Sequence, residues 1–164
     1  MKKETLKALV VLSMLTAAHF VVASIFKMPG VFKYSPAFLI VALAGREYGV
    51  WGGAVCGALG DFLSAILFPV GAFMPGITLT AGLIGATYGV FMKRPTVLSI
   101  SLAVIIENFV LGLFLNSFWL SLIVSTKTYW GLVVARLPQM VIMTALGIPA
   151  LLLVNRCVPR FKKD

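Results

Sequence analysis

Apolar residues run along this chain in long blocks, separated by short polar or proline-rich breaks. The first block covers about 6–26 and ends at Lys27-Met28-Pro29-Gly30. A short one follows at 37–44, closed by Gly45-Arg46-Glu47, and then a glycine-rich one at 48–67. Pro69, Gly71, Pro75 and Gly76 mark a loop before the block at 77–92, which stops at Lys93-Arg94-Pro95. Two longer blocks, 97–124 and 129–154, complete the pattern and lead into a basic tail. None of the blocks alternates with a period of two, so the pattern predicts helices. Most approach the roughly 20 residues that an apolar helix needs to cross a bilayer. The block at 37–44 is too short to cross as a straight helix and requires extension into its flanks, tilt or a break.

Composition turns this pattern into a class. Apolar residues make up 60% of the 164, charged residues 12%, and mean hydropathy is +1.04. Soluble domains carry about a quarter charged residues. This chain has too little polar surface to cover its apolar content in water, and too much apolar content for disorder. The expectation is an all-α membrane protein forming a single domain over 1–164, with six transmembrane helices. Six helices take about 120 residues, which leaves no room for a soluble catalytic or nucleotide-binding domain. The segment after Lys2, Lys3 and Lys7 is longer than a signal-peptide apolar core and reads as the first membrane helix.

Charge fixes the expected orientation. Lys and Arg total 14 against 5 Asp and Glu. Six spans put Lys2, Lys3, Lys7, Arg46, Lys93, Arg94, Arg156, Arg160, Lys162 and Lys163 on the side of the termini, and only Lys27, Lys33 and Lys127 on the other. Cytoplasmic loops collect Lys and Arg, so both termini are expected in the cytoplasm of a multi-pass plasma-membrane protein. The same rule accounts for the basic charge without nucleic acid as a partner.

Ionisable groups inside spans are costly and point to function or to pairing. Here they are His19, Asp61, Glu107 and Arg136. Asp61 and Arg136 fall at similar depth, which suits either an ion pair or a polar cavity. Glu107 suits a proton relay or a protonated, paired group in the bundle. His19, with no second His or Cys nearby in sequence, does not make a metal site, and catalytic motifs are missing. Gly45, Gly49, Gly53 and Gly57, with Ala81, Gly85 and Gly89, recur every four residues. That stripe suits close helix packing or a surface for another membrane subunit. The loops opposite the termini offer Phe32, Tyr34, Phe68, Phe73, Phe118, Trp119, Tyr129 and Trp130, either as an interfacial aromatic belt or as a stacking site for a flat ring.

Two stretches carry a resemblance. One is Gly60-Asp61-Phe62 through Phe68-Pro69-Val70-Gly71-Ala72-Phe73-Met74-Pro75-Gly76 to Ile77-Thr78-Leu79-Thr80-Ala81. The other is Leu115-Asn116-Ser117-Phe118-Trp119-Leu120-Ser121, with Arg136-Leu137-Pro138-Gln139 after it. Together with the six blocks and basic ends, the chain resembles the substrate-binding S component of energy-coupling factor (ECF) vitamin transporters, nearest the folate-specific branch. The resemblance implies a subunit that captures folate outside the cell and delivers it inward. It implies as partners a membrane coupling subunit and two ATPase subunits, which use ATP; this chain itself would be no enzyme and hold no cofactor. It also implies toppling of the subunit in the membrane, with 27–35 as the gate. Site residues on this reading are Lys27, Lys33, Tyr34, Asp61, Phe73, Asn116, Trp119 and Arg136. Asp61 suits the donors of a pterin edge, Phe73 or Trp119 its face, and Arg136, Lys27 or Lys33 the anionic tail. Ser13 and Ala17 stand in the first helix where the family often carries two alanines, and Ala54 and Ala58 lie in the third block. The alternatives are an S component for another vitamin or precursor, such as pantothenate or hydroxymethylpyrimidine, a proton-coupled carrier using Glu107, or a membrane enzyme using Asp61 and Arg136.

Overall fold

The computed structural model describes residues 3–26, 35–69, 73–123, 128–158 and 160, and every regular element among them is helical. Helix α1 (Lys3–Ile25) is followed by α2 (Ala37–Leu67) and α3 (Pro75–Phe91). Then comes one continuous rod, made of α4 (Val97–Ile105), a π-helical segment (Ile106–Leu115) and α5 (Asn116–Ile123). The last element is α6 (Tyr129–Cys157). By length and composition Thr5–Ile25, Ala37–Leu67, Val97–Leu122 and Tyr129–Cys157 can each cross a membrane, and Pro75–Phe91 is a shorter apolar helix. Local signals set the starts. Pro75 opens α3, where a missing N–H costs nothing. The Thr96 hydroxyl caps α4 by accepting from the Ser99 N–H at 3.2 Å.

The sequence pattern placed a break at Gly45-Arg46-Glu47 and separate blocks at 37–44 and 48–67. In the structure the helix continues through those residues and reverses at Gly49, with φ 70° and ψ −160°. That backbone region is open essentially to glycine alone. The two arms of α2 lie side by side. A Cβ on Gly57 would sit 3.6 Å from Val41 Cγ1, and one on Gly53 would sit 3.1 Å from the Gly45 Cα. In an unbroken helix residues 41 and 57 would be about 24 Å apart. The small-residue stripe is consumed within the bundle. A side chain on Gly53 would strike the Gly85 carbonyl, one on Gly85 the Gly53 carbonyl, and one on Gly57 the Ala81 carbonyl. Ala58 lies 3.3 Å from where Gly82 would carry a Cβ, so the second arm and α3 meet backbone to backbone.

The main core lies in the half of the bundle nearer Gly49. Val41, Ala42, Ala44, Cys56, Tyr88, Met92, Ile100, Ala103, Val104 and Leu151 form it. The end beyond that core is tied by polar bonds. Arg46 donates from Nε and Nη2 to Glu47 Oε1, both at 2.9 Å, and from Nη1 to Asn155 Oδ1 at 3.2 Å and the Val158 carbonyl at 3.1 Å. Arg160 donates to the Lys93 carbonyl at 2.8 Å. The α2 reversal, the α3–α4 turn and the end of α6 therefore meet at one end. Outward, the helices present apolar side chains such as Met14, Leu98, Val134 and Leu153, as a bilayer requires.

Candidate functional site

The opposite end carries the polar and aromatic side chains. Asp61, Ser117 and Arg136 each lie about 9–10 Å along their helix from the nearest terminus at that end. Asp61, on the second arm of α2, accepts from the Thr78 hydroxyl on α3 at 3.0 Å. That bond occupies Oδ2. Arg136, on α6, donates from Nη1 to the Ser117 hydroxyl on α5 at 3.4 Å, and Ser117 is fully buried. Among the described residues no ion pair joins Asp61 to Arg136.

Trp119 lies on the same short helix as Ser117. Its indole lies on Gly76, where a Cβ would collide with Cδ2, Cε2 and Cε3 of the ring. Phe118 packs edge-on against it, with ring centres 5.2 Å apart. Trp119 Nε1 and Asn116 Oδ1 are both buried without a hydrogen-bond partner among the described residues. Buried polar atoms are normally satisfied, and an orphaned donor and acceptor on one helical turn are what a bound polar ligand would complete.

Phe73 stands apart from this group. It meets Phe62 edge-on at 5.8 Å and is exposed. Lys27, Lys33 and Tyr34, with nearly all of the expected gate at 27–35, lie outside the described residues. Sequence reasoning missed Gly76, Thr78 and Ser117 as partners of the named residues. All three lie inside the two stretches that carry the resemblance, and that was the only signal available for them.

The other intramembrane groups have structural work. Tyr88, fully buried in the core, donates its hydroxyl to Glu107 Oε2. His19 fills the space that Gly60 leaves open and donates from Nδ1 to the Cys56 carbonyl at 3.1 Å. Ser24 and Ser64 bond at 3.1 Å one turn nearer the site, and Phe20 meets Phe68 at 6.0 Å. These contacts fix α1 against the second arm of α2. Among the described residues no cluster of His, Cys, Asp and Glu could hold a metal ion.

Comparison with known proteins bears on the fold and the family. Residues 7–154 match the family described as "ECF transporter, substrate-specific component". A folate transporter FolT of Clostridium novyi is 37% identical over 108 residues, which are 65% of this chain and only 62% of that protein's length. A folate transporter FolT of Leuconostoc mesenteroides subsp. mesenteroides is 28% identical over 143 residues, covering 85% of this chain and 77% of the relative. A crystal structure of FolT bound with folic acid superposes with a TM-score of 0.83 at 28% identity, over 96% of this chain and 98% of that one. The helical bundle with its small-residue packing thus has a home: the chain belongs to the family of substrate-specific components of ECF transporters.

Proposed function

We propose that this chain binds folate at the Asp61–Trp119–Arg136 end and presents it for import by an ECF complex. The single observation that carries the reading is its likeness, along almost its whole length, to a FolT structure holding folic acid. The chemistry of the end supports it. Asp61 keeps an acceptor oxygen, Oδ1, beyond its bond to Thr78 and suits the adjacent donors of a pterin edge. Trp119, braced on Gly76, supplies a flat apolar face and an N–H. Arg136 offers further guanidinium donors for a carboxylate tail beyond its bond to Ser117. Lys27, Lys33 and Tyr34 would complete the mouth, with 27–35 as the gate and Phe73 at the rim.

Six crossings follow if each arm of α2 counts as one span, which leaves both termini on the side of Arg46, Lys93 and Arg160. That basic end suits the cytoplasm. ATP would be used by two ATPase subunits, reached through a membrane coupling subunit. Glu107 fits this scheme better than proton coupling, because Tyr88 already holds it inside the core.

The test is to purify the chain alone in detergent, identify any copurifying small molecule by mass spectrometry, and titrate folate calorimetrically. Tight one-to-one folate binding without partners is the expected result. Tight binding of a different vitamin with no response to folate would overturn the specificity. Thiol labelling of the native, exposed Cys157 in intact cells tests the orientation, since reaction with an impermeant reagent would place the C-terminus outside.

A further inference from the structure

The rod from Val97 to Ile123 is α-helical at both ends and π-helical between them, and the residue that follows the π segment is Asn116. Its N–H reaches back five residues to the Leu111 carbonyl. Ten residues in this form is unusual, because π turns pack more loosely than α turns and occur mostly as single turns at functional sites. Two side chains at the start of the segment are anchored. Asn108 donates its amide to the Val104 carbonyl at 3.1 Å, at the entry to the segment. Glu107, one residue earlier, is held by the hydroxyl of fully buried Tyr88 on α3. Gly112 keeps the segment's own backbone clear, since a Cβ there would sit 3.1 Å from the Glu107 carbonyl.

The winding decides which way α5 faces. Each residue of an α-helix turns the chain by about 100°. A segment that rewound to α geometry would rotate everything after it relative to α4. Ser117 would leave its buried seat beside Arg136, and Asn116 and Trp119 would no longer line the same wall as Gly76 and Thr78. We infer that the π segment sets the rotational phase of the binding wall, and that Tyr88, Glu107 and Asn108 are positioning residues for ligand recognition although none belongs to the wall itself. The inference rests on the reading above that Asn116 and Trp119 face the ligand.

The experiment uses full-length protein in which Trp51→Phe and Trp130→Phe leave Trp119 as the remaining one of the three tryptophans. Tyr88→Phe, Asn108→Ala, Glu107→Leu and Glu107→Gln are compared with this parent for helical circular dichroism, folate Kd and Trp119 emission without ligand. The first three are expected to stay helical, to raise Kd by about tenfold or more, the scale of one lost hydrogen bond, and to red-shift Trp119 emission as the indole leaves Gly76. Glu107→Gln keeps an acceptor for Tyr88 and is expected to restore most of the affinity and the parental emission. If Tyr88→Phe fails to fold, Asn108→Ala decides. Parental Kd and emission in a folded Asn108→Ala and a folded Tyr88→Phe would overturn the inference. An emission shift in the variants of a parent that binds no folate would retain the positioning role and sink the folate reading instead.

Discussion

Asp61 and Arg136 each bond a hydroxyl on another helix, and with the proposed folate reading this predicts separable losses. Asp61→Asn is expected to weaken folate binding by about 1.5–3 kcal/mol, the scale of a hydrogen bond to a charged group, measured by calorimetry. Arg136→Ala is expected to weaken folate more than a tail-less pterin, and equal losses for both ligands would place Arg136 away from the tail. Gly76→Ala puts a methyl group into the Trp119 indole and is expected to blunt binding while the bundle still folds; unchanged affinity would mean that the indole does not form the wall. Asp61, Asn116, Trp119 and Arg136 were legible as candidates because ionisable and large amphipathic groups are rare in apolar spans and stand out singly. Thr78 and Ser117 were not, because small hydroxyl residues are common in membrane helices and what gives these two a role is a partner 17 and 19 residues away.

Helix extents were mostly written in the hydropathy pattern, since an apolar block and the Pro, Gly or Lys that ends it are local features. The exceptions are instructive. Gly45-Arg46-Glu47 looked like a loop because two charges interrupt an apolar run. In the fold Arg46 and Glu47 satisfy each other at 2.9 Å with both side chains 1% exposed, so the helix runs on through them. The reversal falls on Gly49, one glycine of a stripe whose other members serve packing. Gly49→Ala should therefore destabilise by about 1–3 kcal/mol through backbone strain, whereas a structure that tolerated alanine there would unfold at an unchanged temperature. The π segment left no mark in the sequence. A π turn differs from an α turn by one residue of winding, and apolar residues around the whole rod blur any shift of phase.

Across the whole molecule the two ends do opposite things. At the Gly49 end Arg46 gathers Glu47, Asn155 and the Val158 carbonyl, and Arg160 reaches the Lys93 carbonyl. At the other end polar atoms are left over, at Asn116 and Trp119. Arg46→Ala should cost on the order of 3 kcal/mol, because it breaks a buried charge pair, and should lower the thermal midpoint in detergent without altering which ligand is preferred. A shift in ligand preference in that variant would mean that the closed end and the site are coupled.

Class, helical blocks and the charge asymmetry between the ends were readable from the chain alone, as was the candidacy of Asp61, Asn116, Trp119 and Arg136. Each depends on composition or on neighbours within one turn of chain, and the cost of burying polar groups in lipid makes such features hard to disguise. The three-dimensional packing was needed to show that α2 doubles back at Gly49, that Glu107 pairs with Tyr88, and that Asp61 and Arg136 turn to Thr78 and Ser117 instead of to each other. Those outcomes depend on which helices lie side by side and in what rotational phase, and packing between segments far apart in sequence sets both.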